Sequence, residues 1–207
     1  MLPWLPLLTN DSPGAVIEMP VPVVLASSSP TRARLLRRLV RAFETVSPCV
    51  DECVRPGETV GAAALRLAEA KARDVGRRRP AGLVIGADTL VVCDAEIMGK
   101  PVDRRDAIRI LTRLTRRPHR VVTGVFVLAP DGRTAAACSG ARLRMRRMGQ
   151  EEIERYVDTP GALDRAGVYA LQEDDPNVEV LVGSPSAVMG LPVEALCRIL
   201  REFYPQG

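Results

Sequence analysis

Lysine, histidine and aromatic residues are scarce in this chain, and each scarcity excludes some classes of function or site. Aromatic residues make up 3% of the 207 residues, so the platforms on which single-stranded nucleic acids stack are nearly absent. His119 is the only histidine, which excludes a metal site built from a histidine cluster and leaves any Ser-His-Asp triad dependent on this residue. We expect His119 to be structural.

Paired cysteines and long apolar runs are also missing. Of five scattered cysteines only Cys49 and Cys53 are close, without the second pair or nearby histidine of a zinc site. We therefore expect small buried thiols in a reducing cytoplasm. No segment approaches the roughly 20 apolar residues of a membrane span, and the proline-broken N-terminus lacks a basic leader. We expect a cytoplasmic protein with an N-terminal extension (residues 1–19, its mobility left open) and one domain (residues 20–207).

The two lysines are the most informative residues that are present. Of 29 lysines and arginines, only Lys71 and Lys100 are lysine. Lysine is a compact, rotatable point charge, whereas arginine is a planar fork that cannot lose its proton. A chain so rich in arginine is expected to keep lysine where arginine will not serve. Both lysines flank IGADT, which places Asp88 inside an apolar strand, and this arrangement indicates a site for a polyanion and a metal.

The order of apolar segments predicts a mixed α/β sheet. A β-rich run at 21–27 precedes a helix that begins at Pro30 with Ser29 as its N-cap. FETVSPCV predicts a second strand that ends at Asp51 and Glu52. The remaining pattern predicts a helix from Thr59 to about Arg77, a tight turn near Asp94, a helix capped by Asp103, a long hairpin around Asp131, a helix near 150–158, a short strand and a closing helix.

The segment LASSSPTRARLL combines three features that bind anions. A strand-to-helix turn presents free backbone N–H groups at the positive end of a helix. Ser27, Ser28 and Ser29 offer hydroxyl groups beside it. Arg32 lies in the first helical turn, from which it can grip phosphate oxygens with two hydrogen bonds. An ordinary serine-capped helix with a solvated arginine is the alternative that this segment alone leaves open.

Glu52 and Asp88 are the candidate metal ligands. Each follows or interrupts an apolar strand, the usual place for functional groups in an open α/β sheet. A carboxylate at position 88 is expensive to bury unless it is paired or holds a metal, and Gly86 permits a close backbone approach nearby. Carboxylate oxygens favour Mg²⁺ or Mn²⁺, with a phosphate chain completing the coordination.

These segments resemble the Maf family of nucleoside triphosphate pyrophosphatases, with motifs in the family's order from about Val23 to the C-terminus. The similar motifs are LASSSPTR, VDE at 50–52, EAKA at 69–72, GADTLVV with GKP at 86–101, HRVVTGV at 119–125, AGVYALQ at 166–172 and GSPSAVMGLPVEAL. The resemblance implies a mixed twisted sheet in two lobes around a central cleft, a fold shared with the inosine-triphosphate pyrophosphatases.

The resemblance also implies metal-dependent hydrolysis of a nucleoside triphosphate to the monophosphate and pyrophosphate. The family's functional positions fall on Ser27, Arg32, Glu52, Lys71, Asp88, Lys100 and Gln172. Asp88 is then the expected general base, and Glu52 holds the metal together with it. The cationic side chains and the serine loop are expected to neutralise the triphosphate.

Three positions bear on the preferred base. Thr89 and Gln172 match the branch that prefers dTTP and UTP, but Thr31 stands where that branch has arginine. The branch for 7-methyl-GTP has tryptophan, glutamine and glutamate at these three positions, and none of them occurs here. The resemblance therefore favours a pyrimidine nucleoside triphosphate, either unmodified or modified, as the substrate.

Three other functions remain open from the sequence. One is a purine pyrophosphatase of the inosine-triphosphate type, and another is a non-catalytic regulator of cell division that binds nucleotide. The third is a basic nucleic-acid-binding module, since the net charge is +4. The spread of arginines among acidic residues favours a small phosphorylated ligand over a polymer, with neither nucleic acid nor membrane as partner. A homodimer is an open alternative to a monomer.

Overall fold

The computed structural model describes residues 16–163, 166–169 and 176–205. In this part of the chain strands and helices alternate from the N-terminus. They are β1 (Val23–Ala26), α1 (Pro30–Leu36), β2 (Glu44–Thr45), α2 (Val60–Arg78), β3 (Leu83–Cys93), β4 (Glu96–Met98), α3 (Arg104–Arg116), β5 (His119–Leu128), β6 (Thr134–Met145), α4 (Gln150–Val157), β7 (Val178–Gly183), α5 (Pro185–Val188) and α6 (Val193–Phe203).

The strands form one mixed sheet, as the sequence predicts. Its order within the described residues is β2-β1-β3-β5-β6-β7, and β4 pairs with the far end of β3. The pairs β1–β2 and β1–β3 are parallel, whereas β3, β5, β6 and β7 follow one another antiparallel. The three longest strands, β3, β5 and β6, therefore lie side by side in the sheet.

Two apolar cores cover opposite ends of β3 and β5 and make the two lobes. In the first, α1 and α6 bury their leucines against β1 and the start of β3. In the second, α3 and α4 pack on the far end of the long strands. The largest side chains that are fully buried come from both cores, and they include Leu35, Leu36, Leu111, Leu114 and Leu143. The two lobes thus share strands, which keeps the space between them fixed.

Helix α2 covers the other face of the sheet at unusually short range. A Cβ atom at Gly86 would lie 2.2 Å from the carbonyl oxygen of Ala68, and one at Gly124 would lie 2.6 Å from that of Ala64. Glycine in the strands and alanine in the helix are what permit this approach, because larger side chains would hold the two backbones apart. The close approach that Gly86 predicts is therefore made by α2.

Most predicted elements are confirmed, and the second strand is the main correction. Ser29, Thr59 and Asp103 cap their helices as predicted, and the tight turn falls at Asp94 and Ala95, both with positive φ. The prediction of a strand ending at Glu52 is wrong, because β2 consists of Glu44–Thr45 alone. One further bond joins Val46 to β1, and Pro48 beyond it cannot donate to a strand ladder.

The short apolar helix α5 was not predicted, whereas the short strand β7 and the closing helix α6 are confirmed. At the N-terminal end of the described chain, Ile17 is buried in the first core and its backbone N–H bonds the carbonyl of Leu39 at 2.8 Å. The last residues of the expected extension are thus attached to the domain.

Replacing Gly86 by alanine is expected to lower the free energy of unfolding by about 3 kcal/mol, the upper end for an overpacked site. The new methyl group meets the α2 backbone, which cannot rotate away as a side chain would. Urea denaturation measures the change. Gly99→Ala is the control, since nothing lies within 4 Å of a Cβ atom there. Equal stability of the two variants would contradict the close packing.

Candidate active site

The candidate site is a cleft of about 850 Å³ on an open stretch of the edge of β3. On this edge β1 pairs with residues 83–86 and β4 pairs with residues 91–93. Between them, residues 87–90 pair only with β5 on the opposite side. Side chains from both faces of the strand therefore reach one cavity, since successive residues point to opposite faces.

Four charged side chains alternate in sign along one wall of this cleft. Lys71 Nζ lies 2.6 Å from Asp88 Oδ1 and 2.7 Å from Glu52 Oε1. Lys100 Nζ lies 3.5 Å from Glu52 Oε2. The side chains of Lys71 and Asp88 are 6% and 8% exposed, whereas those of Glu52 and Lys100 are 44% and 60% exposed. The inner pair is thus fixed in the protein, and the outer pair faces the opening.

This arrangement explains why lysine occupies position 71. A single Nζ contacts two carboxylates that come from different segments, and an ammonium group can point its three donors in separate directions. A planar guanidinium group prefers to pair with one carboxylate at a time through two parallel bonds. The lysine bias of the sequence therefore coincides with a position where shape as well as charge matters.

Glu52 is held in its charged form. Partial burial acts to raise the pKa of its carboxyl group, but the hydrogen bond and charge of Lys71 and the charge of Lys100 outweigh it, so the pKa lies below its ordinary value. Glu52 lies in the irregular segment after β2, not at the end of a strand as predicted. Its proximity to Asp88 comes from Lys71, which bonds both carboxylates.

The serine-rich turn after β1 forms the floor of the cleft. The Ser27 hydroxyl oxygen accepts hydrogen bonds from the Ser29 N–H at 3.1 Å and from Arg32 Nη1 at 3.3 Å. Because both lone pairs are used, its own proton is left to donate. Ser29 Oγ accepts from the Arg32 N–H at 3.3 Å and so caps α1. Ser28 is exposed and Thr31 partly so, and both line the cavity.

Arg32 spans the cleft floor and contacts the far end of the chain. Its Nε donates to the carbonyl of Gly190 at 2.8 Å and its Nη2 donates to Thr89 Oγ1 at 3.1 Å. Gly190 has φ +100°, and a Cβ atom there would lie 3.2 Å from Arg32 Nε, so this position favours glycine. Burial lowers the pKa of Arg32, against which the charges of Asp88 and Glu52 act.

The other half of the cleft is apolar, and it is lined by Val91, Val121, Ala166, Tyr169, Val188 and Met189. Its shape depends on a buried contact between His119 Nε2 and the Tyr169 hydroxyl oxygen, 2.6 Å apart. Burial lowers the pKa of His119 to about 4 and outweighs the opposite effect of the neighbouring Arg117 backbone. His119 therefore stays neutral at neutral pH, in keeping with the structural role that we expect for it.

The carboxylates also fit a divalent metal ion. After pairing with Lys71, Asp88 keeps Oδ2 without a hydrogen-bond partner among the described residues, and Glu52 Oε2 has only the distant Lys100. No group of three or more His, Cys, Asp or Glu side chains lies together in the described part of the chain. Magnesium is commonly held by one or two carboxylates plus substrate phosphates, so a pair of carboxylates is a sufficient protein contribution.

The structure brings ten of the eleven predicted site residues together in this cleft, and Gln172 lies outside the described residues. The ten are Ser27, Ser28, Ser29, Thr31, Arg32, Glu52, Lys71, Asp88, Thr89 and Lys100. Their roles stay predictions. Sequence reasoning gave no role to Gly190, Thr123 or Tyr169, although each lies in a motif that was recognised. Their partners are distant in sequence, which a motif does not show.

Cations, paired carboxylates and an apolar pocket side by side define a site for a ligand with a phosphorylated end and a less polar end. The comparison with known proteins agrees with that class. The chain belongs to the Maf-like protein family, whose sequence profile matches residues 22–203.

Among its relatives, the chain is similar to the dTTP/UTP pyrophosphatase of Geotalea uraniireducens (strain Rf4), with 42% identity over 86% of this chain and 91% of the relative. It is 41% identical to the dTTP/UTP pyrophosphatase of Aquifex aeolicus (strain VF5), over 87% of this chain and 94% of the relative. Among solved structures, the Staphylococcus aureus Ham1 protein matches with a TM-score of 0.51 and 14% identity, over 87% of this chain and 98% of that one. This likeness shows the fold.

One negative finding concerns membranes. In the ranges that the structure describes, no helix combines the length and the apolar character needed to cross a bilayer.

Stability is expected to fall as the pH drops towards 5, because His119 is buried in its neutral form. Its pKa is about 4 in the folded protein and about 6.5 in the unfolded chain. The unfolded chain therefore takes up the proton first, and stability that is fully present above about pH 6.5 is lost towards pH 4. The contribution of His119 to the free energy of unfolding should be about 2 kcal/mol lower at pH 5 than at pH 7.5, and urea denaturation at the two pH values measures the difference.

The variant His119→Gln should lose this part of the pH dependence while keeping the part due to carboxylates. Since the chain has one histidine, the imidazole signals in an NMR titration are unambiguous. A midpoint near 6.5 in the folded protein would contradict the prediction.

Proposed function

We propose that this protein is a nucleoside triphosphate pyrophosphatase that hydrolyses the α–β phosphate bond of a pyrimidine nucleotide, of the dTTP/UTP type or a modified form, to the monophosphate and pyrophosphate. The observation that carries this proposal is the alternating row of Asp88, Lys71, Glu52 and Lys100 beside an apolar pocket. The row suits a phosphate chain and the pocket suits a nucleoside.

Asp88 is the general base. Its Oδ1 is held by Lys71 at 2.6 Å, which fixes the orientation of the carboxylate. One lone pair of Oδ2 is then left to accept the proton of the attacking water, and the other is left for the metal. The α–β anhydride bond then breaks and pyrophosphate leaves. Because Asp88 is nearly buried, its position is set by the strand and by α2 before the substrate arrives.

The remaining charged groups bind and orient the phosphates. Lys100 is exposed at the opening and Arg32 lies on the floor, and both neutralise the triphosphate and the departing pyrophosphate. The Ser27 hydroxyl group donates a hydrogen bond to the phosphates. Positioning and charge neutralisation of this kind supply most of the rate in displacements at phosphorus. Glu52 and Asp88 would hold Mg²⁺ or Mn²⁺, which supplies charge neutralisation to the phosphate chain when bound.

The preference for a pyrimidine base is supported by two lines of reasoning. The relatives compared above are named dTTP/UTP pyrophosphatases, and Thr89 and Gln172 match that branch. Thr31, in place of the branch's arginine, lies on the cleft and is short. We propose that this difference enlarges the site at the serine turn, which would admit a modified nucleotide.

We also place this enzyme in the cytoplasm and treat residues 20–207 as one catalytic domain. All five cysteines are free thiols, which suits a reducing compartment, but only Cys93 and Cys197 are buried as expected, and the other three are exposed. The proposed partner is the nucleotide, with neither nucleic acid nor membrane as partner, and a homodimer remains compatible with the proposal.

The decisive experiment is the incubation of the purified protein with common and modified nucleoside triphosphates and Mg²⁺ or Mn²⁺, with chromatography of the products. We expect monophosphate and pyrophosphate, fastest with UTP or dTTP. Asp88→Asn should still bind nucleotide but turn over at least about 100-fold more slowly, because it keeps the shape and loses the base. A chelator should abolish the activity.

Near-normal turnover by Asp88→Asn would refute the assignment of the base. Release of orthophosphate in place of pyrophosphate would refute the proposed reaction. Preference for inosine triphosphate would identify the purine-type enzyme, and binding without turnover would identify a non-catalytic regulator.

Substitution of each lysine by arginine tests whether shape matters beyond charge. Lys71→Arg should reduce kcat by about 100-fold or more, since a guanidinium group cannot take the place of an ammonium group between two carboxylates without moving Asp88. Lys100→Arg should cost about tenfold or less, because the side chain is exposed and 3.5 Å from its partner. Steady-state kinetics with UTP measures both. Two fully active variants would show that the lysine bias carries no functional meaning.

A further inference from the structure

A chain of hydrogen bonds runs from Arg32, which lines the cleft, to the buried carbonyl of Ala187. Arg32 Nη2 lies 3.1 Å from Thr89 Oγ1, which lies 2.9 Å from Thr123 Oγ1, which in turn lies 2.6 Å from the Ala187 carbonyl oxygen. Thr89 and Thr123 are directly opposite each other on β3 and β5. The chain thus joins α1, two central strands and α5.

The direction of every bond in this chain is fixed by its two ends. A carbonyl oxygen cannot donate, so Thr123 spends its only proton on Ala187. Thr123 must then accept from Thr89, which spends its own proton in this way. Thr89 is left to accept from Arg32, and a guanidinium group can only donate. The order of donation is therefore Arg32 to Thr89 to Thr123 to Ala187.

This order of donation determines how many N–H donors of Arg32 stay free for a ligand. The guanidinium group has five N–H donors, and three of them are directed at Gly190, Ser27 and Thr89. Two donors remain for a ligand. If Thr123 did not accept the Thr89 proton, that proton would have no acceptor in the chain and the Thr89 hydroxyl would be free to turn. Arg32 Nη2 would then lose a fixed acceptor.

We infer that Thr123 is a positioning residue for the phosphate-binding arginine: it polarises and orients Thr89, which holds the Arg32 guanidinium group with two donors turned to the substrate. This inference rests on the proposed function, in which Arg32 binds the triphosphate. Thr123 itself does not line the cleft and is fully buried, so it acts only through its neighbours.

Space-filling alone does not require a hydroxyl group at position 123. Valine has nearly the same shape and suits a buried strand better, whereas a buried hydroxyl group is favourable only when its bonds are made. Thr123 makes both bonds that its position allows, one to a strand neighbour and one to the segment that carries Gly190. Thr89 and the 187–190 segment also hold Arg32, together with Ser27.

The test compares Thr123→Val, which removes the hydroxyl group, with Thr123→Ser, which keeps it. We measure kcat and KM with UTP and the dissociation constant of its non-hydrolysable α,β-methylene analogue. Thr123→Val should weaken analogue binding and raise KM by about tenfold, with a smaller change in kcat, as expected for the loss of one oriented charge-assisted bond. Thr123→Ser should stay within about threefold of the wild type.

A double-mutant cycle with Arg32→Met separates positioning from a general structural role. If Thr123 acts through Arg32, then Thr123→Val should change analogue binding less than about twofold once the guanidinium group is gone. A further tenfold loss in that background, or a Thr123→Val variant that binds like the wild type, would overturn the inference. Melting temperatures confirm that each variant is folded, and Thr123→Ala, which also removes the hydroxyl group, replaces Thr123→Val in the cycle if the latter does not fold.

Analogue binding keeps this inference distinct from the proposed reaction. A wild-type protein that binds the analogue but releases no pyrophosphate from UTP would refute the hydrolysis and leave the cycle measurable. A wild-type protein that does not bind the analogue would overturn both the phosphate-binding role of Arg32 and the positioning role of Thr123.

Discussion

The close packing of α2 on the sheet is the constraint on which the site depends. Lys71 reaches Asp88 at 2.6 Å because the helix lies against strand glycines, where a Cβ atom would already touch the backbone of α2. A helix at the ordinary distance from a sheet would leave the ammonium group short of the strand carboxylate, and Asp88 would be buried without a partner at high cost. The small residues of α2 and β3 thus determine the charge arrangement of the cleft.

The interrupted edge of β3 gives the cleft two different walls. Asp88 points towards α2 and Thr89 points to the opposite face, yet both reach the same cavity because neither β1 nor β4 covers this stretch of the strand. The wall on the side of α2 carries the alternating charges. The wall on the other side carries Arg32 and its hydrogen bonds. In the proposed mechanism, consecutive residues of one strand therefore take part in two separate tasks, the handling of a proton and the binding of phosphate.

Local sequence patterns predicted most of the fold, whereas contacts between segments that are distant in sequence were not predicted. The N-caps, the hairpins and the strand around Asp88 follow from residue types and spacing, and the scarcity of lysine pointed to Lys71 and Lys100. The failure at β2 arose because a β-rich run was extended through a proline. The bond from Arg32 to Gly190 joins residues 158 positions apart, and the pairing of Thr89 with Thr123 depends on strand register. Neither can be read from a single sequence.

The charges of the cleft also bear on how a triphosphate would be held. The charged side chains that line the cleft are the cations Arg32, Lys71 and Lys100 and the carboxylates Asp51, Glu52 and Asp88, so they leave no positive surplus. A triphosphate carries several negative charges, which this balanced set does not offset. A divalent cation held by Glu52 and Asp88 would supply the missing charge. The pairing of Lys71 with both carboxylates, which makes their burial tolerable, therefore supports our proposal that the reaction uses a divalent metal ion.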